Sequence, residues 1–432
     1  MKKQNDCCTL RTLIMDSHKQ ISLTSVLLVF CLLSCFVRGE KDGITWPQWR
    51  GPTRNGKVSE GKPWPDSLND QHLKQIWRIE LSNGYSSPIV TDNHVIVLET
   101  RDKKYEIARA LDPKTGKEIW KQKWDGSMEV IPMGARTGSW IKSTPTYDGS
   151  RLYISGMRDL LVCLDEKSGS EIWRVDFMHR YGTPIPELGF ICSPLVVDNS
   201  IYVQTADSVV CLDKVTGESK WRSMIEEEKG HGSYSSLGID SVQGSLQILV
   251  AMISDIAGLN PGTGEILWSQ RLDSIERGCI LTPIVYRDQI FTSTRQSRSG
   301  MYRLSRAGTN FNVSKIWKNK ATVYMSAPIL MNDYAYLHLK TSRLACLNLK
   351  TGEEEWTSSK RFGFYCSMIS KEDRILALSN EGELLLFRAT PTRFEAIDSR
   401  KICDAEVWGH LAIAGGRLFI RELNAITAYQ WE

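Results

Sequence analysis

The sequence lacks the short motifs that mark the common catalytic and cofactor-binding sites. It contains no G-x-S-x-G, no G-x-x-x-x-G-K-[ST] and no H-E-x-x-H, the signatures of a nucleophile elbow, a phosphate-binding loop and a zinc protease. It also contains no C-x-x-C and no C-x-x-C-H, so no pattern predicts a paired-cysteine metal site or covalently attached haem.

The chain also has little net charge. Its 432 residues carry a formal charge of +4. Residues 1–39 hold five basic and two acidic residues, which leaves the remainder near +1. A nucleic-acid-binding module requires a basic stripe, and this balance does not provide one.

The single long apolar run lies near the N-terminus, at residues 21–37, behind a basic leader. This pattern predicts a signal peptide over residues 1–39, cleaved before Glu40 after Val37-Arg38-Gly39. A lipoprotein site that leaves Cys35 lipidated and a retained anchor are the alternatives, and Met15 competes with Met1 as the start. We therefore expect export to the periplasm or cell envelope, with an outer-membrane lipoprotein as the alternative.

Cysteines are few and unpaired in the mature chain. Seven of the 11 lie after residue 39, and an odd number does not suit a disulfide framework. Cys163, Cys211 and Cys346 occupy one repeat position, where other copies have Ala110 and Gly258. A small buried strand residue explains all five.

The most informative feature present is a repeat, first seen as ALDPKTGKEIW, which ends at Trp120. Further copies end at Trp173, Trp221, Trp268 and Trp356, and a degenerate copy ends at Trp317. Each full copy combines a small residue, Leu, Asp or Asn, a Thr/Ser-Gly turn and a Trp four residues after the Gly. A period near 45 residues is typical of the four-stranded blades of a propeller.

A second pattern places a Ser/Thr-Pro before an apolar strand, a polar turn and an alternating strand, as two antiparallel strands in a hairpin require. Its eight positions are separated by 57, 49, 43, 46, 45, 40 and 43 residues. They are Pro88, Pro145, Pro194, Leu237, Pro283, Pro328, Met368 and Leu411. The two patterns together predict an all-β, eight-bladed β-propeller with four antiparallel strands in each blade.

The chain ends complete the predicted ring. The last segment, residues 417–429, supplies inner strands only, so the strand around Trp77 is expected to fill the outer position of the eighth blade and close the ring. The seventh blade, which lacks the Trp motif, should be the least regular. The predicted domains are residues 1–39 as signal peptide, 40–73 as an extended segment packing on the propeller with Trp46, Trp49 and Trp64 as anchors, and 74–432 as the propeller.

These motifs resemble the tryptophan-docking motif of the pyrroloquinoline-quinone (PQQ)-repeat propellers, and WPQWRGPTRNG resembles a segment of exported bacterial, planctomycete-type members. The resemblance implies that the Trp of one blade packs on the motif turn of the next. The residues it implies for docking are Trp77, Gly116, Trp120, Gly169, Trp173, Gly217, Trp221, Gly264, Trp268, Gly352 and Trp356.

The family has two branches that differ in function. Scaffold members of the BamB type bind envelope proteins, whereas quinoprotein dehydrogenases oxidise alcohols or sugars with PQQ and Ca²⁺. No set of acid and amide ligands can be matched to the dehydrogenases here, and the one Cys-Cys pair, Cys7-Cys8, lies in the leader. We therefore expect a monomeric protein-binding scaffold without a cofactor; the alternative is a PQQ- and Ca²⁺-dependent dehydrogenase.

Any binding surface is expected at the face where two sets of loops meet around the axis: those from outer strands to the next blade and those from second to third strands. For any single residue, an ordinary solvated loop position is the competing interpretation. The candidates there are Arg136, Trp140, Lys142, Arg158, His179, Arg180, His231, Tyr234, Arg277, Arg295, Lys340, Arg361, Trp408 and His410.

Within this face, residues 178–190 contain two prolines and are predicted to form an ordered flap. Glu187 is a weak candidate as a Ca²⁺ ligand or base. His231 and His410 each precede an inner strand and form a hypothetical axial pair. The run from Glu226 to Lys229 is interpreted as a solvated charge cluster.

Overall fold

The computed structural model describes residues 45–59, 61–132, 138–225, 234–272, 281–294 and 298–431, all within the compact unit Ile44–Glu432. Among these residues, no helix is both long enough and apolar enough to span a bilayer. The predictions for the signal peptide, Cys35, the alternative starts and the Glu226–Lys229 run concern residues outside the described ranges.

Eight four-stranded sheets form the ring, as predicted. In blades 1 to 4 the strands run from the axis outwards in chain order. They are β1–β32 in chain numbering, where β1 (Leu73–Glu80) belongs to the last blade. Blade 1 contains β2 (Ile89–Val90), β3 (Val95–Arg101), β4 (Tyr105–Leu111) and β5 (Glu118–Asp125); blade 2, β6 (Thr146–Tyr147), β7 (Arg151–Gly156), β8 (Leu160–Asp165) and β9 (Glu171–Asp176); blade 3, β10 (Leu195–Val197), β11 (Ser200–Gln204), β12 (Val209–Asp213) and β13 (Ser219–Ser223); blade 4, β14 (Gly238–Val242), β15 (Ser245–Ala251), β16 (Asp255–Leu259) and β17 (Ile266–Arg271).

The remaining blades complete the ring, and β1 closes it. One short helix, α1 (Phe177–Tyr181), follows β9. Blade 5 contains β18 (Ile284–Tyr286), β19 (Gln289–Ser293), β20 (Ser299–Ala307) and β21 (Asn310–Asn319); blade 6, β22 (Ile329–Met331), β23 (Tyr334–His338), β24 (Leu344–Asn348) and β25 (Glu354–Thr357); blade 7, β26 (Cys366–Lys371), β27 (Arg374–Ser379), β28 (Glu383–Arg388) and β29 (Ala396–Lys401); blade 8, β30 (Ala412–Ala414), β31 (Arg417–Glu422), β32 (Ala425–Trp431) and then β1. The antiparallel pairing of β1 with β32 confirms the predicted closing strand.

The repeated residues meet in register. The small residue of the motif lies directly opposite its Trp across the two outer strands, as Ala110 does with Trp120 and Cys163 with Trp173. A register shift at the Trp then leaves one extra residue on the outer strand, Ile119 in blade 1. This bulge twists the outer strand, and Ile119 is exposed to solvent.

The motif Trp packs on the turn of the following blade. The Trp77 ring lies against Gly116, and its Nε1 donates to the Pro113 carbonyl at 3.2 Å. Positive φ at the turn Gly, +73° at Gly116, and the absence of a Cβ allow the ring to approach. The same packing on a turn Gly joins Trp120 to Gly169, Trp173 to Gly217, Trp221 to Gly264 and Trp317 to Gly352. The indole Nε1 also donates to a carbonyl of the next turn in Trp120, Trp221 and Trp317, but that of Trp173 is buried without an acceptor among the described residues.

Trp268 departs from the docking expected of it. Its indole turns into its own blade, where Nε1 donates to Gln247 Oε1 at 2.6 Å. The residue opposite it is Gly258, and a Cβ there would lie 2.2 Å from Trp268 Nε1. The missing side chain leaves room for the inward ring, and the turn it would otherwise meet, at Gly308, ends the longest hairpin of the ring.

The prediction that blade 7 is the least regular was wrong, because its four strands each have six residues. Trp356 packs there on Phe394, and its Nε1 donates to the Thr390 carbonyl at 2.8 Å, so no motif Gly is involved. Blade 7 in turn holds blade 8 through Arg400, which donates to the Leu68 and Leu73 carbonyls at 2.9 and 3.0 Å. Other groups thus replace the motif at these joints.

Residues 45–58 enter the centre of the ring rather than wrapping its outside. Trp46 bridges the inner strand of blade 1 at Val90, and the Pro47 carbonyl accepts from Tyr147 in blade 2. On the other side, Val58 donates to the Ser370 carbonyl in blade 7. We call residues 45–58 the axial segment, because it closes the channel that eight inner strands would otherwise leave open.

Candidate functional site

A cavity of about 270 Å³ opens on the ring axis, at the end where outer strands lead to the next inner strands. Loops before all eight inner strands contribute to it, and the axial segment contributes Trp49. We call this cavity the cup. It is lined by Trp49, Tyr85, Ser87, Lys142, Thr144, Leu188, Ile191, Ser193, Tyr234, Ser235, Ser236, Leu281, Thr282, Tyr324, Met325, Ala327, Tyr365, Trp408 and His410.

The lining residues occupy fixed positions when they are counted back from the Pro that precedes each inner strand, or from Leu237, Met368 or Leu411 where the Pro is replaced. The chain is extended there, so alternate side chains face the same way. The third residue before the Pro position forms an outer layer of Tyr85, Lys142, Ile191, Tyr234, Met325, Tyr365 and Trp408. The residue directly before it forms an inner layer of Ser87, Thr144, Ser193, Ser236, Thr282, Ala327 and His410.

One wall of the cup is aromatic. The rings of Tyr365 and Trp408 are stacked, with centroids 5.1 Å apart and an interplanar angle of 14°. Tyr85 lies 5.7 Å from Trp408 on the other side. Glu406 fixes both, since it accepts from Tyr85 Oη at 3.2 Å and from Trp408 Nε1 at 3.3 Å. Such a wall suits stacking against a planar or apolar group.

Beside Tyr85, the loop before the inner strand of blade 2 contributes Lys142, the one cationic side chain among the described lining residues. Its Nζ donates to the carbonyls of Gly138 at 3.0 Å and Leu188 at 3.2 Å. Burial lowers the pKa of Lys142 to about 7, against the opposing attraction of the buried Glu106. Burial likewise raises the pKa of Glu106 to about 8. Burial therefore disfavours the charged form of the Lys142 amine.

Trp49 and His410 form the floor, with ring centroids 5.7 Å apart and an edge-on angle of 86°. His410 Nε2 lies 3.3 Å from Tyr365 Oη, and its backbone N donates to Ser87 Oγ at 2.6 Å. Burial, reinforced by the nearby Arg50, lowers the pKa of His410 to about 3. The floor is therefore neutral at ordinary pH.

The structure brings together part of the predicted surface. Lys142, Tyr234, Trp408 and His410 line the cup, whereas Trp140 is not among its lining residues. The flap sequence supplies Leu188 to the wall, whereas Glu187 is not among the lining residues.

Other predicted residues lie elsewhere. His179 and Arg180 belong to α1, and Arg180 Nη1 donates to the Gly217 carbonyl and Ser219 Oγ of blade 3, because the helix directs it along the outer strand. Arg158, Lys340 and Arg361 are exposed and are not among the residues that line the cup. Arg136, Arg277, Arg295 and one member of the hypothetical axial pair, His231, lie outside the described residues.

Sequence reasoning missed Trp49, Tyr85, Tyr324 and Tyr365. Three of these lie in loops directly before an inner strand, and Tyr85 and Tyr365 occupy the third position before the Pro or its replacement. Counting back from each Pro would have found them. Trp49 carries no such signal, because the axial segment has no repeat.

The cup does not match the chemistry of a Ca²⁺–quinone site. Calcium in proteins takes six to eight oxygen ligands, carboxylates prominent among them, and none of the described residues that line the cup is Asp or Glu. Across the described ranges, no group of three or more His, Cys, Asp or Glu side chains is placed to hold a metal. The described cysteines are all free thiols, and none of them lines the cup.

Comparison with known proteins supplies the family. A family model described as "Outer membrane protein assembly factor BamB" matches residues 103–358, more than half of the chain. The chain belongs to this BamB family. A curated relative of that name from Moranella endobia (strain PCIT) is 23% identical over 338 residues, spanning 73% of this chain and 72% of the relative.

Solved structures share the fold with this BamB-family chain. BamB from Moraxella catarrhalis superposes with a TM-score of 0.60 at 13% identity, covering 83% of this chain and 99% of that one. The quinohemoprotein alcohol dehydrogenase from Comamonas testosteroni gives a TM-score of 0.64 at 11% identity, covering 89% and 80% respectively. At these identities the likeness shows the fold alone, so the choice between scaffold and enzyme rests on the family and the site.

Proposed function

We propose that this protein is a protein-binding scaffold of the cell envelope. We further propose that it takes part in outer-membrane protein assembly, as the name of its BamB relatives indicates for them. The observation that carries the proposal is the cup: in a BamB-family chain, eight loops converge on a recess whose described lining is aromatic and apolar and holds no carboxylate. Aromatic side chains in such recesses are typical anchors of protein interfaces. The partner is an envelope protein that inserts an apolar side chain between the aromatic wall and Lys142.

The same proposal includes the route and state of the protein. We propose export directed by residues 1–39, action as a monomeric propeller, and function without PQQ. Lipidation at Cys35 is the alternative to soluble release into the periplasm.

Photo-crosslinking in the source cells tests this function. A photoreactive amino acid replaces Trp408 in the cup or, as the matched control, the exposed Ile119 on the outer rim. We expect position 408, and not 119, to crosslink to a component of outer-membrane protein assembly. Loss of the gene should also lower the amount of folded outer-membrane proteins. Equal crosslinking at both positions with unchanged outer-membrane proteins would contradict the proposal.

A separate reconstitution experiment tests the dehydrogenase alternative. The mature protein is incubated with PQQ and Ca²⁺ and assayed by cofactor absorbance and dye reduction with a panel of alcohols and sugars. Stoichiometric PQQ binding with substrate-dependent turnover would overturn the scaffold proposal.

A further inference from the structure

Two arginines of the axial segment are buried without a counter-charge. Arg50 is 4% exposed and Arg54 is 9% exposed. Arg50 Nη2 donates to the carbonyls of Asn55 at 3.0 Å and Pro328 at 2.5 Å. Arg54 donates to Gln48 Oε1 at 3.0 Å, the Pro194 carbonyl at 2.9 Å and the Ser193 carbonyl at 3.2 Å. All of these acceptors are neutral.

The charges of the two guanidinium groups remain uncompensated. In the described part of the chain neither group forms an ion pair with Asp or Glu, and the Nε of each is buried without an acceptor. Their guanidinium carbons lie 5.6 and 5.2 Å from the Trp49 ring centroid, so both stack on one indole. Burial lowers both pKa values to about 10, which still leaves both groups charged at neutral pH. Two unpaired buried cations are unfavourable unless an anion joins them.

Arg50 and Arg54 both line a second cavity, of about 540 Å³, on the other side of Trp49 from the cup. We call it the lower cavity. Its facing wall is apolar and comes from the inner strands of blades 3, 4 and 5, through Val196, Ile239 and Val285 among others. Asp240 is the acidic residue of the lining, and it is exposed. The lower cavity therefore has a cationic side and an apolar side.

We propose that the lower cavity binds a small organic carboxylate. Its carboxylate group pairs with Arg50 and Arg54, and its hydrocarbon body lies on the apolar wall of Val196, Ile239 and Val285. Arginine suits this role because its planar donors match a carboxylate. This site is separate from the cup and does not depend on the scaffold function.

Calorimetric titration of the mature protein with octanoate tests the site, with octanamide as the neutral analogue of the same shape. We expect one octanoate per chain and binding of octanamide weaker by about tenfold, which corresponds to about 1.4 kcal/mol. Equal affinities would show an apolar cavity that ignores charge, and would overturn the proposal. Binding of inorganic phosphate in place of octanoate would overturn it as well.

Gln48→Glu provides the sharper variant, because Gln48 Oε1 already accepts from Arg54. The new carboxylate supplies the missing counter-charge at the cost of the Gln48 donation to the Pro52 carbonyl, which is exposed. We expect a higher melting temperature without ligand and octanoate affinity lower by about tenfold. Gln71→Glu, an exposed change of the same charge, should alter neither. Unchanged octanoate affinity in Gln48→Glu, with the variant folded, would refute the assignment.

Discussion

The joint between the last and first blades gives the most direct test of how the ring holds together. Trp77 is 8% exposed, packs beside Phe419 with centroids 6.0 Å apart, and covers the Gly116 turn of blade 1. Trp77→Ala removes this packing and the hydrogen bond to Pro113. Substitutions of this type cost about 3–5 kcal/mol. Because β1 is a strand of blade 8, the loss should lower the stability of the whole ring.

A double-mutant cycle with Gly116→Ala separates the docking contact from the rest. In the native protein a Cβ at Gly116 would lie 2.8 Å from the Trp77 ring, on a backbone with φ of +73°. Gly116→Ala therefore costs both backbone strain and a clash. In the Trp77→Ala background only the backbone strain remains. The double variant should therefore be destabilised by about 1 kcal/mol or more less than the sum of the two single variants.

Urea unfolding followed by circular dichroism measures these costs, and Ile76→Ala is the control on the same strand. Ile76 is 39% exposed, and we expect a change below about 1 kcal/mol. Trp77→Ala should shift one cooperative transition to lower urea. Costs that add fully, or a Trp77→Ala cost no larger than that of Ile76→Ala, would refute docking as the source of closure.

Two further variants probe single sites. Gly258→Ala should destabilise by about 3 kcal/mol or more, since its Cβ would meet Trp268 Nε1 and Gln247 Oε1 at 2.2 and 2.4 Å; Trp268→Leu in the same chain should recover part of the loss in a thermal melt, and no recovery would exclude the clash. Glu106 has a pKa raised by burial to about 8, so its folded form binds a proton that the unfolded form lacks between about pH 4.5 and 8, and the stability this contributes is lost as pH rises through 8. In unfolding measurements from pH 5 to 9, Glu106→Gln should make the fall of the unfolding free energy with pH less steep, by up to about 1.4 kcal/mol per pH unit. Parallel plots of unfolding free energy against pH for the two proteins would contradict a protonated Glu106.

The fold was largely predictable because its determinants are local and repeated. Each Pro-initiated hairpin and each Thr/Ser-Gly turn specifies its own strand pair, and eight copies at blade spacing leave few architectures. The closing strand followed from counting, since residues 417–429 lack a fourth strand. Trp268 was not predictable from its own motif, which is intact; its orientation depends on the missing side chain of Gly258 across the sheet. Blade 7 was misjudged because Trp356 packs as well on Phe394 as on a motif turn.

The two cavities were harder to predict, because their residues are scattered and differ from blade to blade. One position in the repeat holds Tyr85, Lys142, Ile191 and Trp408, and no residue type unites them. The axial segment has no period at all, so nothing in its sequence directs Arg50 and Arg54 to the interior. Their burial depends on carbonyls of Pro194 and Pro328, each about 140 residues or more away along the chain.

The separation of structural and axial positions explains how one propeller serves both scaffolds and enzymes. The Gly-Trp joints lie between blades, at the turns on the far side of the sheets from the cup, and they fix the ring whatever its axis contains. The residues one and three positions before each Pro, or before the residue that replaces the Pro, line the axis and bear little of this packing, so they are free to differ. In this chain those positions supply aromatic rings and hydroxyls without a carboxylate. Function in such a ring is therefore decided by these axial positions, and the Gly-Trp docking contact by itself does not distinguish a scaffold from an enzyme.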